Sequence, residues 1–421
     1  LTINEVKESY SREITMDFLE KDNGFPEPDG NSFMFGYWKN DWAGEYQKIK
    51  AYHGDHHEIE LSPPYHEYGY EKNQRFRFCN LLSALDEPGE YYIDFGQNKI
   101  IFWPPEPFRS LEIITPAFSG KRLAFVRAGR ITITGLCIEN FYGPAIAMDQ
   151  CSQVVLKNCT IRNIVTTAVK IDGGRESGLD SCEIYHIGSS GVLLGGGNRY
   201  SLDRGKNFIT HSVIRDFAMI DKTYQPAIYL AGAGQIVSHN HIYNGPHQGI
   251  RIVGNEHCIE YNELDHLGLE TGDVGAIYMG RDWTFRGNVI RYNYFHHIKG
   301  PGKYGATAIY LDDAASGTTI FGNIFLRCDR GVQIGGGRDN MICNNAFLYC
   351  FPAIKIDNRG VTNARSAIAE NGSWKMYDKL KNVSYDKPPY ADSYPELKNI
   401  LQNNPASPAG NEILNNVFHS S

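Results

Sequence analysis

Four aspartates stand in short segments rich in glycine and aromatic residues: Asp273 in GLETGDVG, Asp282 in MGRDW, and Asp312 and Asp313 in AIYLDDAAS. Carboxyl groups do acid–base work in pairs. One gives a proton to a leaving oxygen while the other attacks, or activates a water, and separations of roughly 5–9 Å suit cleavage of a glycosidic bond. Tyr278, Tyr310 and Trp283 lie in the same segments and offer flat faces that stack on sugar rings. Glu270, Arg281, Arg251, His247 and Arg338 are counted with them as candidate substrate contacts. Each residue also has a plainer reading. An aspartate in a glycine-rich turn closes an Asx turn, and stacked aromatics pack on each other. Histidines are many (His239, His241, His247, His257, His266, His296, His297), but none has a metal-ligand spacing such as HExxH. No metal and no cofactor are expected.

Residues so far apart meet only if a regular scaffold brings them together. A short motif recurs: a small residue, a β-branched residue, any residue, then an apolar one. It reads AIAM at Ala145, AVKI at Ala168, GVLL at Gly191, AIYL at Ala227 and GIRI at Gly249, then AIYM at Ala276, AIYL at Ala308, GVQI at Gly331 and AIKI at Ala353. The steps are 23, 23, 36, 22, 27, 32, 23 and 22 residues, so the base period is 22–23 with three insertions. A second motif keeps the same period and carries Cys159, Cys182, Ser212, Asn240, Asn262, Asn293, Asn323, Asn345 and Asn416 at its small polar position. Each repeat reads as two or three short strands that cannot bury an apolar face alone. Stacked about 4.8 Å apart they can, with asparagine taking the left-handed bend and bonding from coil to coil. The expected fold is all-β: a single right-handed parallel β-helix of about ten coils.

Counting from the small residue, position +2 points outward and holds Arg251, Tyr278, Tyr310, Gln333 and Lys355 on successive coils. Positions +4 to +6 hold Asp282, Asp312 and Asp313, so adjacent stacking is expected to pair Asp282 with Asp313, with Asp312 and Asp273 in reserve. Asp273, at −3, lies too far along a straight strand unless its loop folds over the groove. The glycines beside Asp312 on the coils above and below, Gly280 and Gly335, leave room for a ligand. The insertions Gly195–Asn207, Phe217–Tyr224, Leu264–Val274 and Lys299–Ala306 flank these strands and should wall a groove. Residues 1–105 lack the repeat and are expected to be a β-rich cap, with a hairpin in YYIDFGQNKIIFWPP from Tyr91. Residues 106–421 are expected to be the β-helix, with a helical insertion at 361–410 that returns at Asn411 to add a last strand.

Composition narrows the function. Lys plus Arg number 41 against 48 acidic residues, a net charge of −7 with no basic run, which argues against nucleic-acid binding. No apolar stretch approaches the roughly 20 residues needed for a membrane span. The nine cysteines show no CxxC and are expected to be free thiols. The chain opens Leu1-Thr2-Ile3 without Met, as after removal of a signal or in a fragment, and a periplasmic or extracellular location is expected.

Longer segments resemble a known family. GLETGDVGAIYMGRDWTFRGNVIRYNYFHHI from Gly268, AIYLDDAASGTTIFGNIF from Ala308 and GVQIGGGRDNMICNNAF from Gly331 resemble the bacterial right-handed β-helix glycoside hydrolases of family 141 and near relatives. NLLSALDEPGEYYID from Asn80 and IIFWPPE from Ile100 are similar to that family's strand-and-cap segment, so the resemblance covers roughly residues 75–420. It implies fucoside- or xylan-directed activity on an oligo- or polysaccharide, with one catalytic aspartate at Asp313 or Asp312 and the other at Asp273 or Asp282. Two alternatives stand beside it. A polysaccharide lyase on the same fold would use Arg251 or Lys355 near an acidic sugar. A non-catalytic glycan-binding or structural fibre would have even coil lengths, which the clustered insertions oppose.

Overall fold

A computed structural model describes residues 3–8, 14–18, 27–54, 58–105, 107, 112–116 and 122–419. The chain divides into two compact units, Leu1–Ile114 and Thr115–Ser421. The first unit carries a six-stranded sheet, whose pairings are antiparallel, around a small core that includes Met34, Trp38, Ile59 and Leu61. It also holds the expected hairpin, with Tyr91–Asp94 antiparallel to Lys99–Phe102.

The second unit is a right-handed parallel β-helix of three ten-stranded sheets. Sheet I contains the strands of the first sequence motif, from Leu123–Val126 to Ile354–Asp357. Sheet II runs from Gly129–Thr134 to Glu412–Leu414, and sheet III from Cys137–Phe141 to Val417–His419. Each coil visits sheets I, II and III in turn. Alternation within each strand sends every second residue inward. Along one row of sheet I, Ile146, Val169, Val192, Ile228, Ile250, Ile277, Ile309 and Val332 are all fully buried. In sheet III the rings of Phe295, Phe325, Phe347 and Phe418 stack in succession, with centroids 5.0, 4.6 and 5.4 Å apart.

Two polar ladders run inside the bends. Between sheets II and III, Asn262 donates from its backbone N and its Nδ2 to Asn293 Oδ1, both at 2.9 Å. Asn240, Asn293, Asn323 and Asn345 repeat the pattern with the next asparagine, ending on Asn416. The left-handed residue of this bend is not the asparagine, however. It is the residue before it: His239 (φ 58°), Tyr261 (φ 54°), Tyr292 (φ 56°) and Asn344 (φ 56°). The ladder asparagine turns inward because its amide must serve the coils on either side. The second ladder joins sheets I and II through varied residue types. Ser177 N donates to Asn207 Oδ1 at 2.9 Å, Asn207 N to Gln235 Oε1 at 3.1 Å, and Gln235 N to His257 Nδ1 at 3.1 Å. His257 N then donates to Asn288 Oδ1 at 3.1 Å.

Between Asp357 and Glu412 the chain leaves the helix as an arm with short helices, including Arg365–Ile368, Met376–Asn382 and Tyr390–Ser393. Ile368, Met376, Leu380, Tyr390, Leu397 and Ile400 form its core together with Trp283 and Ala314 of the helix. All nine cysteines are free, eight of them in the β-helix from Cys137 to Cys350.

Replacing Asn293 by Ala removes the acceptor for two donors of Asn262 and the donor to Ile259 O at 3.0 Å. The expected loss is on the order of 1–2 kcal/mol, because buried polar groups are left unpaired. Urea denaturation checks it, and an unchanged midpoint would count against the ladder.

Candidate active site

The outward row of sheet I runs Tyr229, Arg251, Tyr278, Tyr310, Gln333, Lys355 on successive coils. The Arg251 guanidinium lies 5.8 Å from the Tyr229 ring centroid and 5.9 Å from that of Tyr278. Tyr278 and Tyr310 meet edge to face at 5.8 Å. Insertions attach at both ends of these strands: 217–227 and 299–305 before them, 197–207 and the arm after them. At the start of the row, Lys222 holds Glu270 in an ion pair of 2.8 Å.

At the strand ends the side chains converge on a group of carboxyls. Tyr278 Oη donates to Asp312 Oδ2 at 3.0 Å. Tyr310 Oη donates to Asp273 Oδ1 at 3.2 Å. Arg281 Nε binds Asp313 Oδ2 at 2.8 Å. Arg359, from the first turn of the arm, lies in the middle. Its Nη1 contacts Asp312 Oδ1, and Asp313 Oδ1 at 3.2 Å; its Nη2 binds Asp357 Oδ2 at 2.7 Å and Tyr310 Oη at 3.3 Å. A Cβ on Gly335 would fall 2.6 Å from the guanidinium carbon, so a side chain there would displace Arg359. The space beside Gly335 thus belongs to Arg359 and not to a ligand. At Gly280 a Cβ would fall 3.1 Å from the Asp312 backbone oxygen and 3.4 Å from the Tyr278 hydroxyl, so the room there is taken up by the neighbouring coil and not left for a ligand.

The cluster holds more acid than base. Asp312, Asp313 and Asp357 share Arg359 and Arg281 as direct guanidinium partners, while Asp273 is held by the Tyr310 hydroxyl and feels Arg359 and Arg330 only through their charge. Burial pushes the Asp312 carboxyl up, and the charges of Asp313 and Asp273 add to it. Together they outweigh Arg359 and the Tyr278 hydrogen bond, and the group is pushed up to about 7. Burial also raises Asp273, against the Tyr310 hydrogen bond and the charges of Arg359 and Arg330. Asp357 goes the other way: burial is overcome by the hydrogen bonds and charge of Arg359, and its carboxyl is lowered. Burial and the neighbouring carboxylates raise the Tyr278 and Tyr310 phenols above the usual range. The arrangement therefore offers a carboxyl that keeps its proton near neutral pH, further carboxylates within reach, and phenols fixed as hydrogen-bond donors.

The expected pairing of Asp282 with Asp313 is not what the fold provides. Asp282 is buried and its Oδ1 accepts from Thr284 N at 2.8 Å and Thr284 Oγ1 at 2.6 Å, closing an Asx turn. Trp283 is fully buried under the arm, edge-on to Tyr377 at 5.5 Å, and has no face for a sugar. Arg338 is buried too; it binds Asp339 at 3.2 Å and the Asn403 carbonyl at 2.9 Å, fastening the arm's far end. His247 lies beneath the groove against Thr271 Oγ1 at 3.1 Å, and burial with the charge of Arg251 lowers it to about 3. Asp273 joins the group from the bend just before the strand Val274–Met279, where its φ of 52° is left-handed, and the Tyr310 side chain spans the remaining offset. Arg359 had no sequence signal beyond following the last motif strand directly, since it belongs to no repeat.

A guanidinium already provides the positive charge at the cluster's centre. The imidazole and carboxylate groups arranged like metal ligands lie instead on sheet III, at His241, Glu263 and Asp265.

Comparison with known proteins agrees with this architecture. A solved structure described as a glycoside hydrolase superposes with a TM-score of 0.62 at 14% identity, covering 84% of this chain and 73% of that one. A pectate lyase, Pel9A, gives a TM-score of 0.39 at 11% identity over 59% of this chain and 66% of that one. A lacto-N-biosidase of family GH136 from Eubacterium ramulus gives 0.31 at 11% identity over 53% and 50%. No curated protein sequence matches significantly. The family model for a right-handed beta helix region matches residues 118–219 and 226–377. With more than half of its length so matched, the chain belongs to the right-handed β-helix family.

Proposed function

We propose that the protein is a glycoside hydrolase, similar to family 141, acting on a fucoside- or xylan-like cell-wall glycan outside the cytoplasm. The observation that carries this reading is the excess of carboxyls at the mouth of sheet I, with Asp312 shifted to about 7. Glycosidic cleavage needs one protonated and one ionised carboxyl on either side of the bond. Asp312 is the proton donor. Asp273, on the neighbouring coil and shifted less, is the nucleophile or the base for water. Asp312 and Asp313 are consecutive and share Arg359 Nη1, which leaves no room for a sugar between them. Asp313, tied to Arg281 and Arg359, instead balances charge and positions Arg359. Tyr278 and Tyr310 hold the two reacting carboxyls through their hydroxyls. The fold shared with a solved glycoside hydrolase supports the same reading. A lyase would need a basic group to abstract a proton. The phenols beside the cluster are raised, which makes them poor bases at neutral pH.

Asp312→Asn and Asp273→Asn should each lower kcat by at least about a hundredfold, the scale for loss of a general acid or base. Asp282→Asn should stay near the wild-type rate, because an amide oxygen still accepts from Thr284. Assays on nitrophenyl glycosides and on fucose- and xylose-containing oligosaccharides decide. Full activity in Asp312→Asn, or a product absorbing as an unsaturated uronate, would sink the hydrolase reading.

The rate should fall as pH rises through about 7, where Asp312 loses its proton. Arg359 holds that pKa down, so Arg359→Met should move the alkaline limb upward, by about one unit or more. A profile of kcat/KM that shifts downward would show that Asp312 is not the titrating acid.

A further inference from the structure

Sheet III carries a second grouping of reactive side chains, away from the aspartates of sheet I. Ile242, Leu264 and Phe295 point inward and are fully buried, so His241, Glu263, Asp265 and His296 point out. Parallel register places His241 beside Glu263, and Asp265 beside His296. The four side chains therefore occupy two neighbouring rows on three consecutive coils.

Their polar atoms converge. His241 Nε2 lies 2.6 Å from Asp265 Oδ2. His296 Nε2 lies 3.0 Å from Glu263 Oε1 and 3.6 Å from Asp265 Oδ2. The donor atoms of His241, Glu263 and Asp265 all fall within 4.8 Å of one another. Around a tetrahedral zinc ion with bonds of about 2.1 Å, donor atoms sit roughly 3.4 Å apart. The His241–Asp265, His296–Glu263 and His296–Asp265 separations straddle that value, whereas His296 lies outside the set whose atoms are all within 4.8 Å of one another, so its imidazole must swing toward His241 to complete the shell. Supporting contacts are in place. His296 Nδ1 faces His297 Nδ1 at 2.9 Å, and Asp265 Oδ1 faces His266 Nδ1. Such outer partners orient metal ligands. The Asp265 side chain is only 7% exposed, and imidazoles of His241 and His266 already meet its two oxygens, fixing their direction.

We propose that His241, Glu263, Asp265 and His296 bind one divalent transition-metal ion of the zinc class, clasping three consecutive coils. Two imidazole nitrogens with two carboxylates favour such an ion over calcium or magnesium, which take oxygen ligands. The site is independent of the reading given to the aspartate cluster. Sequence spacing hid it, because the ligands are separated by whole coils and not by one helical turn.

The test is a cobalt(II) titration of the full, untagged chain, followed by its visible absorption. One Co²⁺ per chain is expected, displaced by Zn²⁺ and not by Ca²⁺, with a raised urea midpoint in the presence of Zn²⁺. The double variant His241→Ala/His296→Ala should lose at least about a hundredfold in affinity, while His211→Ala, outside the patch, keeps it. If the double variant does not fold, Glu263→Gln at the exposed corner must weaken binding instead. Absence of a cobalt band, or equal affinity in the variants, would overturn the proposal and leave a network of imidazoles and carboxylates alone. Glycosidase activity is not a readout here, so failure of the metal site and failure of the hydrolase reading are distinguishable.

Discussion

Every feature of the second unit depends on coils that stack in register, and register is held by amides inside the bends. A bend carries backbone donors that turn away from the sheets and would otherwise be buried unpaired. The asparagine oxygen that accepts both the backbone N and the Nδ2 of the preceding coil satisfies two donors at once. It also fixes the vertical spacing, since a coil displaced along the axis would lose both bonds. The apolar rows of Ile and Val add burial but little registration, because one branched side chain slides past another at small cost. Outward residues many positions apart in sequence thereby become neighbours at a known spacing.

On that grid the aspartate cluster stores an imbalance. Guanidinium groups are fewer than carboxyls, and the site is largely shielded from water. A buried carboxylate without its own counter-charge keeps a proton instead of its charge. The raised Asp312 carboxyl follows first from burial, with the charges of Asp313 and Asp273 adding to it against Arg359. The raised phenols nearby have the same origin: burial first, and then negative neighbours that discourage a further negative charge.

What could be read in the amino-acid sequence was whatever obeys the period. The motif at Ala276 and Ala308 sets Tyr278 beside Tyr310, and the Asn240–Asn345 series announces its ladder. The second ladder stayed hidden because Ser177, Asn207, Gln235 and His257 differ in type, although all present an acceptor at one place. Asp282 and Trp283 mislead because one closes a turn onto Thr284 and the arm buries the other, and nothing in a period reports what docks on top of it. Asp273 was undervalued by treating it as part of a straight strand, when it sits in the left-handed bend just before one. Arg359 belongs to the departure from the repeat, where periodic reasoning has no purchase.

That last placement has a consequence for how the protein is made. Three of the cluster's four aspartates, Asp273, Asp312 and Asp313, come from coils that can stack as soon as the ribosome releases them. Arg359 follows the final strand of sheet I and is seated only when Ile354–Asp357 has paired with Arg330–Gly335. Until then the nascent site carries a poorly compensated negative potential, set by Asp273, Asp312 and Asp313, with Arg281 as its direct guanidinium partner. The partial compensation that tunes Asp312 is thus a late event in synthesis, and a shortened translation product ending before the arm would carry the reactive carboxyls in an untuned state.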